Sequence, residues 1–520
     1  MSASRERKQR QGSGPSERDI QAQQKAAAYK SKVRRYTVIG VVIAVLVVAL
    51  LVWNSGIFQR NQTAATVNGT NYSVNDVSYF YQNARYSQFM YYYYFGMSAP
   101  SDDTVIDTET GKTYRDSFLE SALESMKQVT ALYDAAVKEG YTDGSVANDV
   151  ADQIASAKAA ASSSGYSYGA YLKAQYGRYM TPGAFKSIVT KVAVASAYSS
   201  DYSDSLTYTD ADLEAYYNEN KNSLDTFEYS YLYFTPETVA TTDADGNDLG
   251  LSDDEKAALE AEALDAAKAN AEAALDALND GASIESLIEE YKLGTNNSAD
   301  HTSNVGSSIS SSAFSEKLFA MKDGDTAIVE NGESGFYVVA LHERKLSQDP
   351  TADFRHILIR AETTTDDDGN TVAPTDEAWA AAQEKADSIL AEYQAGEQTE
   401  DAFNALIAKY TEDVDSDGNP NNDGLYTKVA KNSSYSAEIL DWLFGTTHSA
   451  GDTGIVKHEG DTSSSSAYWG YHVMYYVGEN TPVWKQTADS ALRNADVSEW
   501  TEGLEEGYEG SYTDAVKNVG

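Results

Sequence analysis

The sequence predicts an α+β protein in which a mostly helical domain precedes two similar domains, each with a small antiparallel sheet and surrounding helices. Three observations predict this organisation. They are an uncharged apolar segment near the N-terminus, helical patterns with Gly and Ser breaks over residues 76–206, and an order of strands and helices that occurs twice after residue 226. A C-terminal helical segment, residues 481–520, is expected to pack back on the helical domain.

The charge and the cysteine count restrict the function. The formal net charge is -41, although the first residues of the chain are basic. An acidic body repels phosphate backbones, so we expect no nucleic-acid partner and favour basic ligands. A solvated acidic surface without a partner also explains this charge. The chain has no cysteine, which excludes disulfides and thiolate metal sites.

The N-terminus predicts a membrane anchor. Residues 1–35 are polar and aperiodic, as in a disordered cytoplasmic tail. Residues 36–53 are the predicted transmembrane helix, because the run from Thr37 to Trp53 carries no charge and its roughly 17 residues reach the lower limit for a span. Basic residues before the run place the bulk of the chain outside the cell membrane. A cleaved signal peptide is the alternative, although no small-residue cleavage pattern follows.

The helical domain is predicted at residues 65–225. It opens with a β-like run around an Asn-Gly turn, after which Ser73 is a suitable N-cap for a helix. The tyrosine-rich segment from Met90 to Phe95 has two interpretations. An exposed cluster would suit the binding of varied apolar partners, whereas a buried aromatic helix face is the interpretation that we favour.

An internal repeat organises the second half of the chain. Residues 324–330 read GDTAIVE and residues 451–457 read GDTGIVK, and each is followed by a β-like run. Each unit also opens with a strand, then an acidic loop and two helices. Two homologous α+β domains, at residues 227–345 and 350–478, are the economical explanation.

The second α+β domain, residues 350–478, resembles the parvulin family of peptidyl-prolyl cis/trans isomerases over its whole length. The most specific elements are RHILI at 355–359 and GYHVM at 470–474, at the two ends of the unit. Three further segments match in family order: AFNALIAKYTED, DGLY and AEILDWLF at 402–413, 423–426 and 437–444. The resemblance implies an apolar pocket that holds a proline and favours the twisted amide over the planar one.

The resemblance also implies the site residues. In parvulins two histidines on adjacent central strands hydrogen-bond beneath the pocket, and the matching positions are His356 and His472. Asp413 matches a polar residue near the reacting carbonyl, and we predict these three as catalytic residues. The predicted substrate-binding residues are Leu425, Tyr435, Ile439 and Phe444. Tyr435 and Ile439 replace the Met and Phe that are usual in the family.

The predicted reaction needs no cofactor and no metal. Rotation about an X-Pro bond crosses a barrier of about 18–20 kcal/mol because amide resonance is lost, and no bond is made or cleaved. The remaining histidines have no zinc-like spacing in the sequence; they are His301, His342, His448 and His458.

The first α+β domain, residues 227–345, carries Tyr231 and Tyr337 where the second has histidines, so we predict that it is an inactive parvulin-like domain. The helical part, with its TVNGTNYSVNDV and YTDADLEAYYNENKNSL segments, is similar to the chaperone part of PrsA/SurA-type foldases. The implied partners are unfolded secreted proteins that contain X-Pro bonds. Two alternatives stay open: a catalytically inactive holding chaperone, and a surface interaction protein built on parvulin scaffolds.

Overall fold

The computed structural model describes residues 30, 32–48, 56–242, 247–366, 371–415, 418–461 and 467–520. The chain divides into two compact units. The first contains the residues up to Thr207 together with Asn494–Gly520, and the second contains Tyr208–Arg493. The predicted basic tail lies almost entirely outside the described residues.

Residues 32–48 form a helix. Within the described part of the chain, no helix has both the length and the apolar character that a membrane crossing requires. This finding does not support the predicted transmembrane helix at 36–53, whose residues 49–53 lie outside the described ranges.

The first unit is mostly helical. Capping boxes start two of its long helices, because the Ser73 and Thr113 hydroxyls each accept from a backbone N–H three residues on, while Asp76 and Asp116 bond back. Ser73 is therefore the N-cap that the sequence predicted. The helices of this unit are Ile57–Arg60, Val74–Tyr94, Tyr114–Lys138, Ala147–Ser163, Tyr168–Tyr176 and Pro182–Ser205, with a 3-10 turn at Asp143–Val146.

The second unit combines helices with two four-stranded sheets and one two-stranded sheet among its described residues. The helices are Asp210–Glu219, Lys221–Leu224, Asp253–Asn279, Ile284–Tyr291, Gly306–Ile309, Ser315–Ala320, Asp376–Ala395, Glu400–Tyr410 and Ala437–Gly445, and 3-10 turns lie at Gly332–Ser334 and Asn421–Gly424. A last helix, Val483–Glu505, crosses from this unit into the first, and a 3-10 turn follows at Asp514–Asn518.

The strands, numbered along the chain, form antiparallel sheets. They are β1 Thr63–Val67, β2 Thr70–Ser73, β3 Val105–Asp107, β4 Lys112–Thr113, β5 Thr226–Phe234, β6 Ser298–Val305, β7 Thr326–Glu330, β8 Phe336–Lys345, β9 Thr351–Arg360, β10 Thr364–Thr365, β11 Thr371–Val372, β12 Leu425–Val429, β13 Thr453–His458, β14 Gly470–Asn480 and β15 Gly510–Tyr512.

The end of the chain completes the sheet at its beginning. Strand β15 pairs with β1, with Ala65 opposite Tyr512. The Arg115 guanidinium donates hydrogen bonds to the carbonyls of Val516 and Val519 at 3.2 and 2.9 Å. These bonds fix the C-terminal residues in the first unit.

The two four-stranded sheets of the second unit have the same order. One runs β6-β5-β8-β7 and the other β12-β9-β14-β13. In each, the opening strand and the last strand of the segment are central. The sequence pattern predicted these central strands, whereas the edge strands β6 and β12 were not predicted.

Alternation along β9 separates two apolar faces. Ile357 and Ile359 pack against the helices Asp376–Ala395 and Glu400–Tyr410. Phe354, on the other face, packs in a cluster with the helix Ala437–Gly445. Because successive strand residues point to opposite faces, His356 lies on the same face as Phe354.

Candidate active site

His356 and His472 meet on one face of the β9/β14 pair. The register places His356 opposite Met474 and His472 opposite Leu358. The two histidines are therefore diagonal neighbours, a relationship in which aromatic side chains reach one another.

The two imidazoles form a buried pair. Their Nδ1 atoms lie 2.7 Å apart, and their rings are nearly parallel at 19° with centroids 4.9 Å apart. His356 is 6% exposed and His472 is 2% exposed. The contact that the resemblance implied is present, and both rings lie beneath the surface.

Asp413 reaches this pair from the end of a helix. After the helix Glu400–Tyr410, the backbone N–H of Glu412 donates to the Leu358 carbonyl at 2.9 Å. The Thr411 hydroxyl accepts from the Leu358 N–H at 3.2 Å. These bonds hold the segment along β9, so Asp413 Oδ2 lies 3.0 Å from His356 Nε2.

Three side chains donate to the Asp413 carboxylate. Besides His356, the Tyr426 hydroxyl donates to Oδ2 at 2.7 Å and the Asn421 amide donates to Oδ1 at 2.7 Å. The hydrogen bond from His356, followed by those from Tyr426 and Asn421, holds the pKa of Asp413 well below its usual range. The carboxylate is therefore charged at any physiological pH.

The hydrogen bonds assign one direction of donation through the pair. His356 Nε2–H donates to Asp413, so a neutral His356 accepts at Nδ1 and His472 donates from its Nδ1. His472 Nε2 then accepts from the Tyr468 hydroxyl at 3.1 Å. Burial, followed by repulsion from His356 when that imidazole is protonated, lowers the pKa of His472 well below its ordinary value. With both imidazoles neutral, the hydrogen bonds form a chain from Tyr468 through His472 and His356 to Asp413.

Aromatic rings cover the pair beside Asp413. The Tyr426 ring meets His356 edge-on at 5.0 Å and stacks on Phe354 at 5.3 Å. Tyr435 packs edge-on against both Phe354 and Tyr426, at 5.8 and 5.9 Å. Burial raises the pKa of Tyr426 and Tyr435, so both hydroxyls stay neutral and can donate.

The predicted substrate-binding residues differ in their positions. Tyr435 is exposed at this aromatic surface, and Phe444 is partly buried in the cluster below it. Ile439 is buried within the cluster, so it packs beneath the aromatic surface.

Leu425 does not reach the site: it pairs with Arg355, on the opposite face of the sheet from His356. The prediction for Leu425 is wrong by one strand position, and Tyr426 faces the histidines instead.

Three residues that contact the predicted ones were not predicted from the sequence, namely Asn421, Tyr426 and Tyr468. Tyr426 stands next to the residue that was chosen, and pairing it with Phe354 would have identified it. Asn421 lies in a short 3-10 turn and Tyr468 lies in a loop before β14. In such segments the sequence has no periodicity that would indicate the direction of a side chain.

The first sheet places tyrosines where the second has the histidine pair. Tyr231 is opposite Val339, and Tyr337 is opposite Tyr233, which is the same diagonal. The rings of Tyr231 and Tyr337 meet edge-on at 5.9 Å. Two phenols in this contact cannot form the imidazole chain of the second sheet.

Comparison with known proteins bears on this first sheet. The profile of the PPIC-type PPIASE domain matches residues 208–354. The chain carries a peptidyl-prolyl isomerase domain of the parvulin type. This confirms the predicted class of enzyme. The match ends two positions before His356, however, and covers the domain that we predicted to be inactive.

A solved structure is similar to part of the chain. It is the crystal structure of PrsA from Bacillus subtilis, at 15% identity, over 47% of this chain and 80% of that one, with a TM-score of 0.15. No curated protein matches the chain. The parvulin-type domain is thus established by the family profile, and the role of the histidine pair in the second domain is a proposal.

Proposed function

We propose that the second α+β domain isomerises X-Pro peptide bonds at a site built on His356, His472 and Asp413. The observation that carries this proposal is the 2.7 Å contact between the two Nδ1 atoms, continued at 3.0 Å to Asp413. The second domain has the strand order of the first, where the parvulin-type profile matches. The histidine pair has the position that tyrosines occupy in the first.

The Asp413 carboxylate supplies the chemistry. A planar amide carries negative charge on its carbonyl oxygen through resonance, and that charge decreases as the bond twists. A fixed carboxylate beside this oxygen therefore repels the planar amide more than the twisted one, which lowers the barrier. The Asp413 side chain is 22% exposed, so a peptide reaches it from solvent.

The histidines act as positioning residues. Both are too buried to touch a substrate, and His356 fixes the orientation of the carboxylate through its Nε2. His472 in turn sets the tautomer of His356, which keeps the Nε2 proton on the side of Asp413. Tyr435, Tyr426 and Phe444 form the apolar surface on which a proline ring packs.

An exposed aromatic patch supports a holding function in addition. The patch is formed by Met90, Tyr91, Tyr94 and Phe95 at the end of the helix Val74–Tyr94. Tyr91 is 62% and Tyr94 is 81% exposed, so the buried face that we favoured for this segment is wrong. Exposed Tyr, Phe and Met side chains contact varied apolar segments with little ordering cost, which suits unfolded clients.

The cellular setting is part of the proposal. The uncharged run at 37–53 follows basic residues, and the chain has no cysteine. Both features favour a chain anchored in the cell membrane with its bulk outside the cytoplasm. There it would act on secreted proteins as they fold.

A tetrapeptide isomerisation assay tests the catalytic proposal. We expect the full chain to accelerate cis/trans exchange of an Ala-Pro peptide, and Asp413→Asn to lower kcat/KM about 10-fold or more. Tyr337→Phe, at the matching position of the first domain, is the control and should keep full activity. Loss of activity in Tyr337→Phe alone would place the site in the first domain.

The holding chaperone is the second candidate, and the aromatic patch favours it. If the wild-type chain suppresses aggregation of an unfolded protein but does not accelerate exchange in the tetrapeptide, the holding function alone stands. An inactive wild-type chain that also fails to suppress aggregation would contradict both proposals.

A further inference from the structure

A cluster of metal-ligating side chains lies in the first α+β domain, away from the histidine pair. Asp300, His301 and His342 each offer one ligand atom, and these atoms all lie within 4.8 Å of one another. The two imidazoles are stacked at 11° with centroids 3.9 Å apart. They come from strands β6 and β8, which lie on either side of β5.

Two irregularities in strand pairing bring these residues together. The first irregularity is on β8. Glu228 lies opposite Glu343, but the next residue, Tyr229, lies opposite Leu341. This leaves His342 as an extra residue on β8.

The second irregularity is on β6, where the register shifts between Tyr229 and Tyr231. Asp300 and His301 therefore both lie opposite Ser230. Bulges of this kind redirect side chains and are frequent beside functional sites.

His301 also adopts a strained backbone. Its φ is 46°, a left-handed conformation that costs a residue with a Cβ about 1–2 kcal/mol. Such strain persists only where the surroundings hold it, and it concentrates at ligand sites. Here it directs the imidazole onto the ring of His342.

The Ser230 hydroxyl contacts every residue of the cluster. It is fully buried, lies 2.8 Å from Asp300 Oδ1 and 2.7 Å from His342 Nε2, and accepts from the His301 N–H at 2.9 Å. One buried hydroxyl therefore contacts all three residues of the cluster and fixes their mutual positions.

Glu228 holds the other side of His301. Its carboxylate lies 3.0 Å from His301 Nδ1, which places the proton on Nδ1 and the lone pair on Nε2. Nε2 is 3.9 Å from Asp300 Oδ1. A carboxylate that orients a ligating histidine in this way is the usual outer contact of protein metal sites.

We propose that Asp300, His301 and His342 bind one divalent transition-metal ion of the Zn²⁺ class. Two imidazole nitrogens and a carboxylate oxygen match the ligands that Zn²⁺ takes, with water completing its coordination. Imidazole ligands disfavour Mg²⁺ and Ca²⁺, which prefer oxygen. The His301 side chain is 60% exposed, so the ion can enter from solvent.

The described residues of the second domain do not repeat this ligand set, although β14 has a bulge that matches the one on β8. There the register moves between Tyr476 and Gly478, so the extra residue is Val477. The residue that matches Ser230 is Arg355, which pairs with Glu400 at 2.8 Å. The bulge is thus common to both domains, whereas His342 and Ser230 of the first domain are replaced by Val477 and Arg355 in the second.

Zinc titration of the tag-free full chain tests this proposal. We expect calorimetry with ZnCl₂ to give one ion per chain at neutral pH, together with a rise in Tm. His301→Gln and His342→Gln should each abolish both effects. Glu228→Gln should weaken binding about 10- to 100-fold, as for other outer-contact residues.

Controls separate this site from others. Glu343→Gln removes a neighbouring carboxylate on the same strand and should bind zinc as the wild type does. Each variant is also melted without zinc, so that loss of binding is not confused with loss of folding; His301 is exposed, so its variant should fold. Absence of binding in the wild type would overturn the proposal. So would binding that survives in both histidine variants, or that is lost only in His356→Gln.

Discussion

His472 lies opposite Leu358 in the strand register, yet its Nδ1 is 2.7 Å from Nδ1 of His356 on the neighbouring strand. The diagonal offset leaves the two rings nearly parallel, with their centroids 4.9 Å apart. Because both rings are buried, we propose that the pair orients Asp413 and does not itself contact a peptide.

Acid should not switch off the proposed activity through Asp413. The pKa of this carboxyl is held low by His356, Tyr426 and Asn421, so the charged form persists well below the ordinary carboxyl pKa of about 3.9. The kcat/KM measured from pH 7 down to pH 5 should therefore show no acid limb from this group. A decline in kcat/KM with an apparent pKa near 5 that disappears in Asp413→Asn would contradict this.

Stability should fall in weak acid because of His472. Its folded-state pKa is lowered by burial, so below the unfolded value of about 6.5 the unfolded chain binds the extra proton. Unfolding free energy should decrease as the pH falls through about 6.5, with a contribution of at most about 1.4 kcal/mol per pH unit. Urea unfolding of His472→Gln at pH 7 and 5.5 should show a smaller decrease than the wild type. An unchanged decrease would show that His472 does not titrate as proposed.

Tyr426→Phe should separate the hydroxyl from the ring. The substitution removes the 2.7 Å bond to Asp413 but keeps the stacking on Phe354. Loss of a hydrogen bond to a charged group costs about 1.5–3 kcal/mol, and the looser carboxylate should lower kcat/KM by several-fold. Tyr410→Phe, which loses a comparable bond to Glu392 at the surface, is the matched control and should keep its activity. Equal activity in both variants would contradict the role of Tyr426.

The aromatic patch should serve holding but not isomerisation. Replacing Tyr91 and Tyr94 by Ser should weaken suppression of client aggregation, because it removes exposed aromatic area. The rate of tetrapeptide exchange should not change. Replacing the buried Phe89 instead would disturb the core, so it is unsuitable as a control, whereas exposed Tyr166→Ser offers one. Unaltered suppression of aggregation in the Tyr91/Tyr94 variant would contradict the proposed role of the patch in client binding.

Much of the second unit could be predicted because its signals are periodic. The central strands are rich in apolar residues, and each repeat contains the two helices that the pattern predicted, among them Ile284–Tyr291 and Glu400–Tyr410. The histidine contact was implied by the resemblance, because parvulins carry two histidines on adjacent central strands.

The features that were missed depend on register and on exposure. Strand β6 reads SADHTSNV, which has no apolar alternation because it is an edge strand. Leu425 was assigned to the wrong face because a shift of one residue reverses the direction of a side chain. The cluster at His301 and His342 needs two bulges, and the spacing of histidines in the sequence does not indicate a bulge.

Exchange NMR on an Ala-Pro tetrapeptide, with catalytic amounts of the full chain, tests the central claim most directly. We predict cis/trans exchange peaks with the wild type and with the Tyr231→Phe/Tyr337→Phe double variant, and their loss with His356→Asn/His472→Asn. Exchange that persists without the two histidines, or that disappears with the two phenylalanines, would contradict catalysis by the second domain.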